Sequence, residues 1–305
     1  MSVKTIKQNK VIWHHINKVD DEALEFLKMN FKFHPMDIKD VKGEAEESKV
    51  DVYNNYLFLI LQFPNLNRYD GRIDFMELDI FLGDDFIITI QKNKLKAMRN
   101  FYYKIQNSAG FRKSCFSHSC GYLLYRILDK LYLDTKPIIN YISKKVRQLE
   151  DQVYSEEVNQ ETAREIAYLR RKILALKRIF EPQREVFETL SKLKTKFFSN
   201  DLDVYFDDID DYVEKVWNFL DNRKYAMKDL LEVHDSLLTH TTNRIIKVLT
   251  IISVGMLPLT LLSGIYGMNI NLPFSDSPLI IWMMFILVLF FVFITIFIFK
   301  RKRWL

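Results

Sequence analysis

The chain has 305 residues, 44 Lys and Arg against 39 Asp and Glu, a formal net charge of +5, and a mean hydropathy of −0.09 that resembles a soluble protein. That length accommodates one large or two modest soluble domains plus a short membrane segment. The modest excess of positive charge argues against nucleic-acid binding, because Lys300, Arg301, Lys302 and Arg303 account for most of it. Cys115 and Cys120 are too few to staple a chain this long, which fits a reducing compartment. The polar start, Met1 to Lys10, predicts no signal peptide.

Residues 1–115 mix strand and helix signals and predict a cytoplasmic α/β domain. Val11–Ile16, Tyr56–Phe63, Phe75–Leu82 and Phe86–Gln91 are β-branched or aromatic runs bounded by polar turns. Glu22–Asn30 and Lys94–Asn107 read as helices, and Asp70-Gly71 as a turn. Residues 116–199 predict a helical hairpin, with apolar residues such as Leu169, Ile173, Leu176 and Phe180 at helical spacing. Pro137 and Pro182 fall inside these patterns and are expected to bend or break them. Asn200 is placed to cap the next helix.

From Asp201 no Pro or Gly occurs until Gly255. Residues 200–267 therefore predict one stalk helix of about 100 Å at 1.5 Å per residue, an element that needs partners along its length. Val248–Ser275 and Ser277–Phe299 contain no charged side chain, so two spans are expected, at about 246–267 and 278–299. The loop between them, 268–277, contains only Asp276 as a charge. Arg244, Lys247 and the basic tail 300–305 flank the other ends, which predicts both termini in the cytoplasm. The expected fold class is thus an α+β cytoplasmic domain, then long helices, then a two-helix transmembrane hairpin.

The first span carries a seam of period seven: Asn243, Ile246, Thr250, Ser253, Leu257, Thr260, Gly264 and Gly267. Six of these eight positions are small or polar, whereas their neighbours are Leu, Ile, Val and Met. Polar groups in a bilayer are costly unless they face water or each other, so a symmetric bundle would turn them inward around a hydrated path. Small residues also let spanning helices pack closely with no pore, and periodicity does not choose between the two. Pro258 is equally open, as a functional kink or a tolerated bend.

The seam ends in Tyr266-Gly267-Met268-Asn269. Here the sequence resembles the CorA family of magnesium transporters, whose hallmark is Gly-Met-Asn after the first of two C-terminal membrane helices. Lys247–Ile252, Pro258-Leu259-Thr260, Gly264–Asn269 and the ending Lys300–Leu305 all look like the family pattern. His34-Pro35, Asp40 and Tyr53–Gln62 look like its N-terminal domain. The resemblance implies a funnel-shaped homopentamer in the cell membrane whose long helix lines the pore. It implies an ion-recognition ring of Gly267, Met268 and Asn269, and a conduit lined by Asn243, Ile246, Leu249, Thr250, Leu257 and Thr260, along the seam that also holds Ser253 and Gly264. The cargo it implies is Mg2+, with Co2+ and Ni2+ as further candidates. The drive is the membrane potential, so neither an ATP site nor an organic cofactor is expected.

Asp201, Asp203, Asp207, Asp208, Asp210, Asp211 and Glu214 cluster at the start of the stalk. By resemblance Asp208 and Asp211 match a regulatory Mg2+ site whose partner on the neighbouring subunit is Asp40. The alternative is a solvated helix start whose acids complement the helix dipole. Cys115, His118 and Cys120 suggest a soft-metal site but lack a fourth ligand. No arrangement suggests catalysis. Two departures from the family stand out: Ile246 and Leu257 occupy gate positions where Met is common, and the outer loop lacks Met-Pro-Glu. The second keeps open a zinc transporter of the ZntB type, with proton coupling. A membrane-anchored sensor would leave the polar seam without purpose.

Overall fold

The computed structural model describes residues 2–45, 47–67, 71–93, 95–155, 160–192, 202–269 and 278–301. Asp70, Asn200, Asp201, Asp276 and the tail residues Lys302–Leu305 lie outside the described residues. The chain divides into two units, one ending at Leu230 and the other starting at Leu231.

The first unit opens with β1 (Val3–Gln8), β2 (Val11–Ile16), α1 (Asp21–Asn30) and α2 (Pro35–Lys42). β3 (Lys49–Val52), β4 (Leu57–Leu66), β5 (Ile73–Leu82) and β6 (Phe86–Gln91) follow, then α3 (Lys96–Asn107) and α4 (Ala109–Cys115). The six strands form one sheet in the order β1-β2-β6-β5-β4-β3, antiparallel except where β2 meets β6. β4 reads Leu57-Phe58-Leu59-Ile60-Leu61 with every residue buried, because helices cover both faces of the sheet. On one face Phe58, Ile60, Phe81, Ile88 and Ile90 pack with Ala23 and Leu27 of α1 and Val41 of α2. On the other, Trp13 meets Phe101 and Tyr102 of α3 edge-on, at ring distances of 6.1 and 5.3 Å.

Among the described residues of 116–199 lie three helices: α5 (Cys120–Leu133), α6 (Lys136–Tyr154) and α7 (Gln160–Lys192). Within the helical pattern expected over 116–199, the chain breaks at Asp134-Thr135, and Pro137 sits in the first turn of α6, where its missing N–H costs no hydrogen bond. Pro182 lies inside α7, which continues past it. α7 is pinned to the sheet by Gln183, whose amide nitrogen donates to the Gln62 carbonyl at 2.6 Å while its amide oxygen accepts from the Tyr132 hydroxyl.

α8 (Asp203–Tyr266) is a single helix of 64 residues that contributes to both units. In the first unit its buried stripe is Phe206, Ile209, Val213, Val216, Leu220, Met227 and Leu230. Trp217 lies between two cations of α7, with Arg184 Cζ 4.1 Å and Lys177 Nζ 4.7 Å from its ring centre. Each cation also pairs with an acid of α8, Arg184 with Glu214 and Lys177 with Asp221. The second unit holds the rest of α8 together with α9 (Pro278–Arg301). Both helices are long and apolar enough to cross a membrane.

Candidate ion pathway and cation sites

In the second unit α8 and α9 run antiparallel and touch along one face each. The less exposed positions of α8 include Ile251, Gly255, Pro258, Leu259, Leu262 and Tyr266, and those of α9 include Phe285, Val288, Val292 and Thr295. Both sets recur every three or four residues, as a single helix face requires. Two contacts set the pairing. A Cβ placed on Gly255 would stand 3.4 Å from Val292 Cγ1, and the Tyr266 hydroxyl donates to Met284 Sδ at 3.2 Å.

The seam lies on the other side. Asn243, Ile246, Thr250, Ser253, Leu257, Thr260, Gly264 and Gly267 are all exposed, and at 3.6 residues per turn they centre about half a turn from the face covered by α9. Leu249 is exposed at the edge of this stripe. Around Gly264 there is open space: among the described residues, nothing beyond the helix's own local backbone comes within 4 Å of where a Cβ would be. The hydroxyls of Thr250, Ser253 and Thr260 donate to the carbonyls of Ile246, Leu249 and Met256, four residues back, at 2.8, 2.9 and 2.9 Å. Their protons are thereby engaged inside the helix, so these side chains present oxygen lone pairs outward.

The helix ends at the Gly-Met-Asn triplet. Gly267 N donates to Ser263 O at 2.9 Å and Met268 N to Ile265 O at 3.2 Å. The glycine is not needed for a left-handed conformation, since Gly71 is the only glycine with positive φ among the described residues. Space is the reason: a Cβ on Gly267 would stand 3.0 Å from Ser263 O. Met268 and Asn269 follow, both exposed.

The predicted regulatory residues occupy separate places within one chain. Asp40, in α2, is held by Lys49, whose Nζ lies 2.7 Å from Asp40 Oδ2 and 2.6 Å from Asp51 Oδ2. Burial works against the Lys49 charge, but the two carboxylates outweigh it and raise its pKa. Asp208 lines a cavity of about 170 Å³ with Asp129, Tyr132, Lys136, Tyr212 and Lys215. Burial raises the Asp129 carboxyl; Arg126 opposes the rise and the charge of Asp208 adds to it. Asp211 is exposed, 3.7 Å from Lys215. Asp210 is raised by burial and then by its acidic neighbours Glu214, Asp207 and Asp211. Among the described residues no three His, Cys, Asp or Glu side chains converge as a metal site.

The sequence model of the family described as CorA-like Mg2+ transporter protein matches residues 8–301. The chain belongs to the CorA family. It is a membrane protein that transports divalent cations, and it is not an enzyme. The cobalt/magnesium transport protein CorA of Thermotoga maritima is 26% identical over 281 residues, 90% of this chain and 78% of that one. The zinc transport protein ZntB of Yersinia pseudotuberculosis is 24% identical over 261 residues, 85% of this chain and 77% of that one. The complete structure of the CorA magnesium transporter from Methanocaldococcus jannaschii superposes with a TM-score of 0.82 at 21% identity, covering 98% of this chain and 93% of that one.

Other residues singled out in the sequence find local structural roles in the first unit. His34 caps α2 by accepting from Met36 N at 3.2 Å, and Pro35 begins that helix. Tyr53 and Tyr56 donate to the two oxygens of buried Asp37, at 2.9 and 2.7 Å. The Cys115 and Cys120 thiols are both buried, and burial, followed by Asp85 and Asp84, pushes Cys120 up to about 12. A neutral thiol is a poor metal ligand, which speaks against the soft-metal site. Asp129 escaped sequence reasoning because it lies on α5, far along the chain from Asp208, with no local motif to mark it.

Proposed function

We propose that this protein imports Mg2+ along the seam of α8, with several copies, five by the family resemblance, arranged about a common axis. The observation that carries this reading is the uncovered stripe opposite α9, ending at Gly267, Met268 and Asn269. In a bilayer such a stripe is stable only where it faces water or other copies of itself.

Mg2+ holds its waters tightly and demands near-octahedral oxygen geometry. The protons of those waters point outward, so the ion needs acceptors around it. Thr250, Ser253 and Thr260 offer them, with Asn243 nearer the cytoplasm, and the Asn269 amide oxygens form the outer recognition ring with Gly267 and Met268. Ile246, Leu249 and Leu257 narrow the path and gate it by dewetting, while Gly264 widens it. With both termini cytoplasmic, as Arg244, Lys247 and Arg301 suggest, an inward-moving divalent ion gains about 4.6 kcal/mol per 100 mV. Co2+ and Ni2+ are further cargo of the same path.

Feedback is assigned to intracellular Mg2+ bound between Asp208, with Asp211 beside it, and Asp40 of a neighbouring subunit. In this arrangement the ion competes with the Lys49 ammonium for Asp40. Residues 1–115 and 116–199 form the funnel-shaped cytoplasmic portion. A second reading, Zn2+ carriage coupled to protons, is supported by the zinc-transporting relative. Reconstituted liposomes separate the two. Voltage-driven Mg2+ uptake without a pH gradient is expected, whereas Zn2+ uptake that requires protons would overturn the first reading in favour of the second. Asp208→Ala is expected to keep transporting at internal Mg2+ levels that silence the parent; unchanged inhibition removes the regulatory assignment.

A further inference from the structure

Glu77 and Asp79 stand two residues apart on β5, so both side chains leave the same face of the sheet, the one covered by α1 and α2. Asp79 is fully buried and Glu77 nearly so. Lys92, just after β6, reaches between them. Its Nζ hydrogen-bonds Glu77 Oε1, lies 3.5 Å from Asp79 Oδ2, and donates to the Asp40 carbonyl at 2.7 Å. The other Glu77 oxygen accepts from Ala45 N at 3.0 Å. Both Asp79 oxygens lack a hydrogen-bond partner among the described residues; the 3.5 Å approach of Lys92 gives attraction without a good hydrogen bond.

Two ionised carboxylates and one ammonium would leave a net negative charge in the interior, where an uncompensated charge is costly. One proton removes it. Burial holds the Asp79 carboxyl well above the usual carboxylate range; Lys92 pulls it back, and the charge of Glu77 adds to the rise. The charged groups facing Asp79 are Glu77 on its own strand and Lys92 after β6. Its partners across the sheet, Ile60 on β4 and Ile90 on β6, are apolar. From α2, Asp40 gives a carbonyl to Lys92 while its carboxylate pairs with Lys49 on β3.

We propose that Asp79 is a proton-binding site which, through Glu77 and Lys92, clamps the segment from Asp40 to Ala45. When the proton sits on Asp79, Lys92 and Glu77 are free to hold the two ends of that segment. When the Asp79 O–H bond breaks and the proton leaves to water, the new carboxylate competes for the Lys92 ammonium and draws it from the Asp40 carbonyl. The released segment carries Asp40 and lines a cavity of about 860 Å³ together with Glu47, Lys49 and Glu185. Rising pH thus loosens the clamp, independently of which cation is carried.

Asp79→Asn keeps the side-chain shape but cannot ionise. Hydrogen exchange of the Ala45 amide is measured in the full-length protein in detergent, corrected for the intrinsic pH dependence of exchange. Above the Asp79 pKa, wild-type protection is expected to fall by up to about tenfold per pH unit relative to Asp79→Asn. Parallel profiles for the two proteins overturn the proposal. Should the variant not fold, carboxyl 13C shifts of the wild type decide: Asp79 protonated at about pH 7 supports the site, and Asp79 ionised there overturns it.

Discussion

Replacing His15 with glutamine removes a titrating group from the interior of the sheet, and with it a pH-dependent share of the folded state's stability. His15 is 1% exposed and stacks on Tyr102 at 5.0 Å. Its Nδ1 is 2.9 Å from Thr89 Oγ1, which also accepts from Trp13 Nε1 at 2.9 Å, and its Nε2 is 3.2 Å from the Gln91 amide nitrogen. Because that nitrogen can only donate, the neutral ring carries its proton on Nδ1 and gives it to Thr89. A second proton, on Nε2, would face the Gln91 N–H. Burial, reinforced by Lys4, pushes the imidazole from 6.5 down to about 4.

A folded pKa below the unfolded one means that the unfolded chain binds the extra proton first. The stabilisation is therefore complete above the unfolded value of 6.5 and is lost as pH falls toward about 4. At 1.36 kcal/mol per pH unit, the loss across that window is about 3 kcal/mol. The assay is unfolding of wild type and His15→Gln, followed by Trp13 fluorescence with the other tryptophans replaced. Taking the difference between the two proteins cancels the other titrating groups. The variant is expected to be less stable near neutrality and to gain about 3 kcal/mol on wild type by about pH 4. A stability difference that does not change with pH would refute the reasoning.

Two further substitutions have expected outcomes. Asn269→Ala is expected to lower Mg2+ uptake into liposomes by about tenfold or more, roughly the loss of one charge-assisted hydrogen bond, with the oligomer unchanged on gel filtration; undiminished uptake contradicts the recognition ring. Arg184→Ala removes both the cation over Trp217 and the partner of Glu214. Since both groups of the ion pair are more than a third exposed, the expected destabilisation is only about 1 kcal/mol, read by thermal unfolding of the full chain.

Much of this architecture was legible along the chain. The two spans and the stalk show as charge-free runs and as a long stretch without Pro or Gly. β2 and β6 run over the residues expected of them, and β4 and β5 differ from expectation only at their ends. β1 and β3 were not legible. Both lie at sheet edges, where Lys4, Lys7, Lys49 and Asp51 break the apolar signal because one side of an edge strand meets solvent. α2 was missed because its start depends on a cap made by His34, a residue outside the usual capping set.

Sequence by itself determined which stripe of the first span is small and polar, because a period of seven is written in consecutive residues and needs no partner to be read. Only the tertiary structure decided that α9 covers the opposite face, and that Lys49 rather than open solvent meets Asp40. Only it could place Glu77, Asp79 and Lys92 together, since strand register brings the end of β6 beside the middle of β5. Local patterns record the faces a segment presents, whereas contacts between segments depend on how those faces are paired, and pairing is a property of the folded whole.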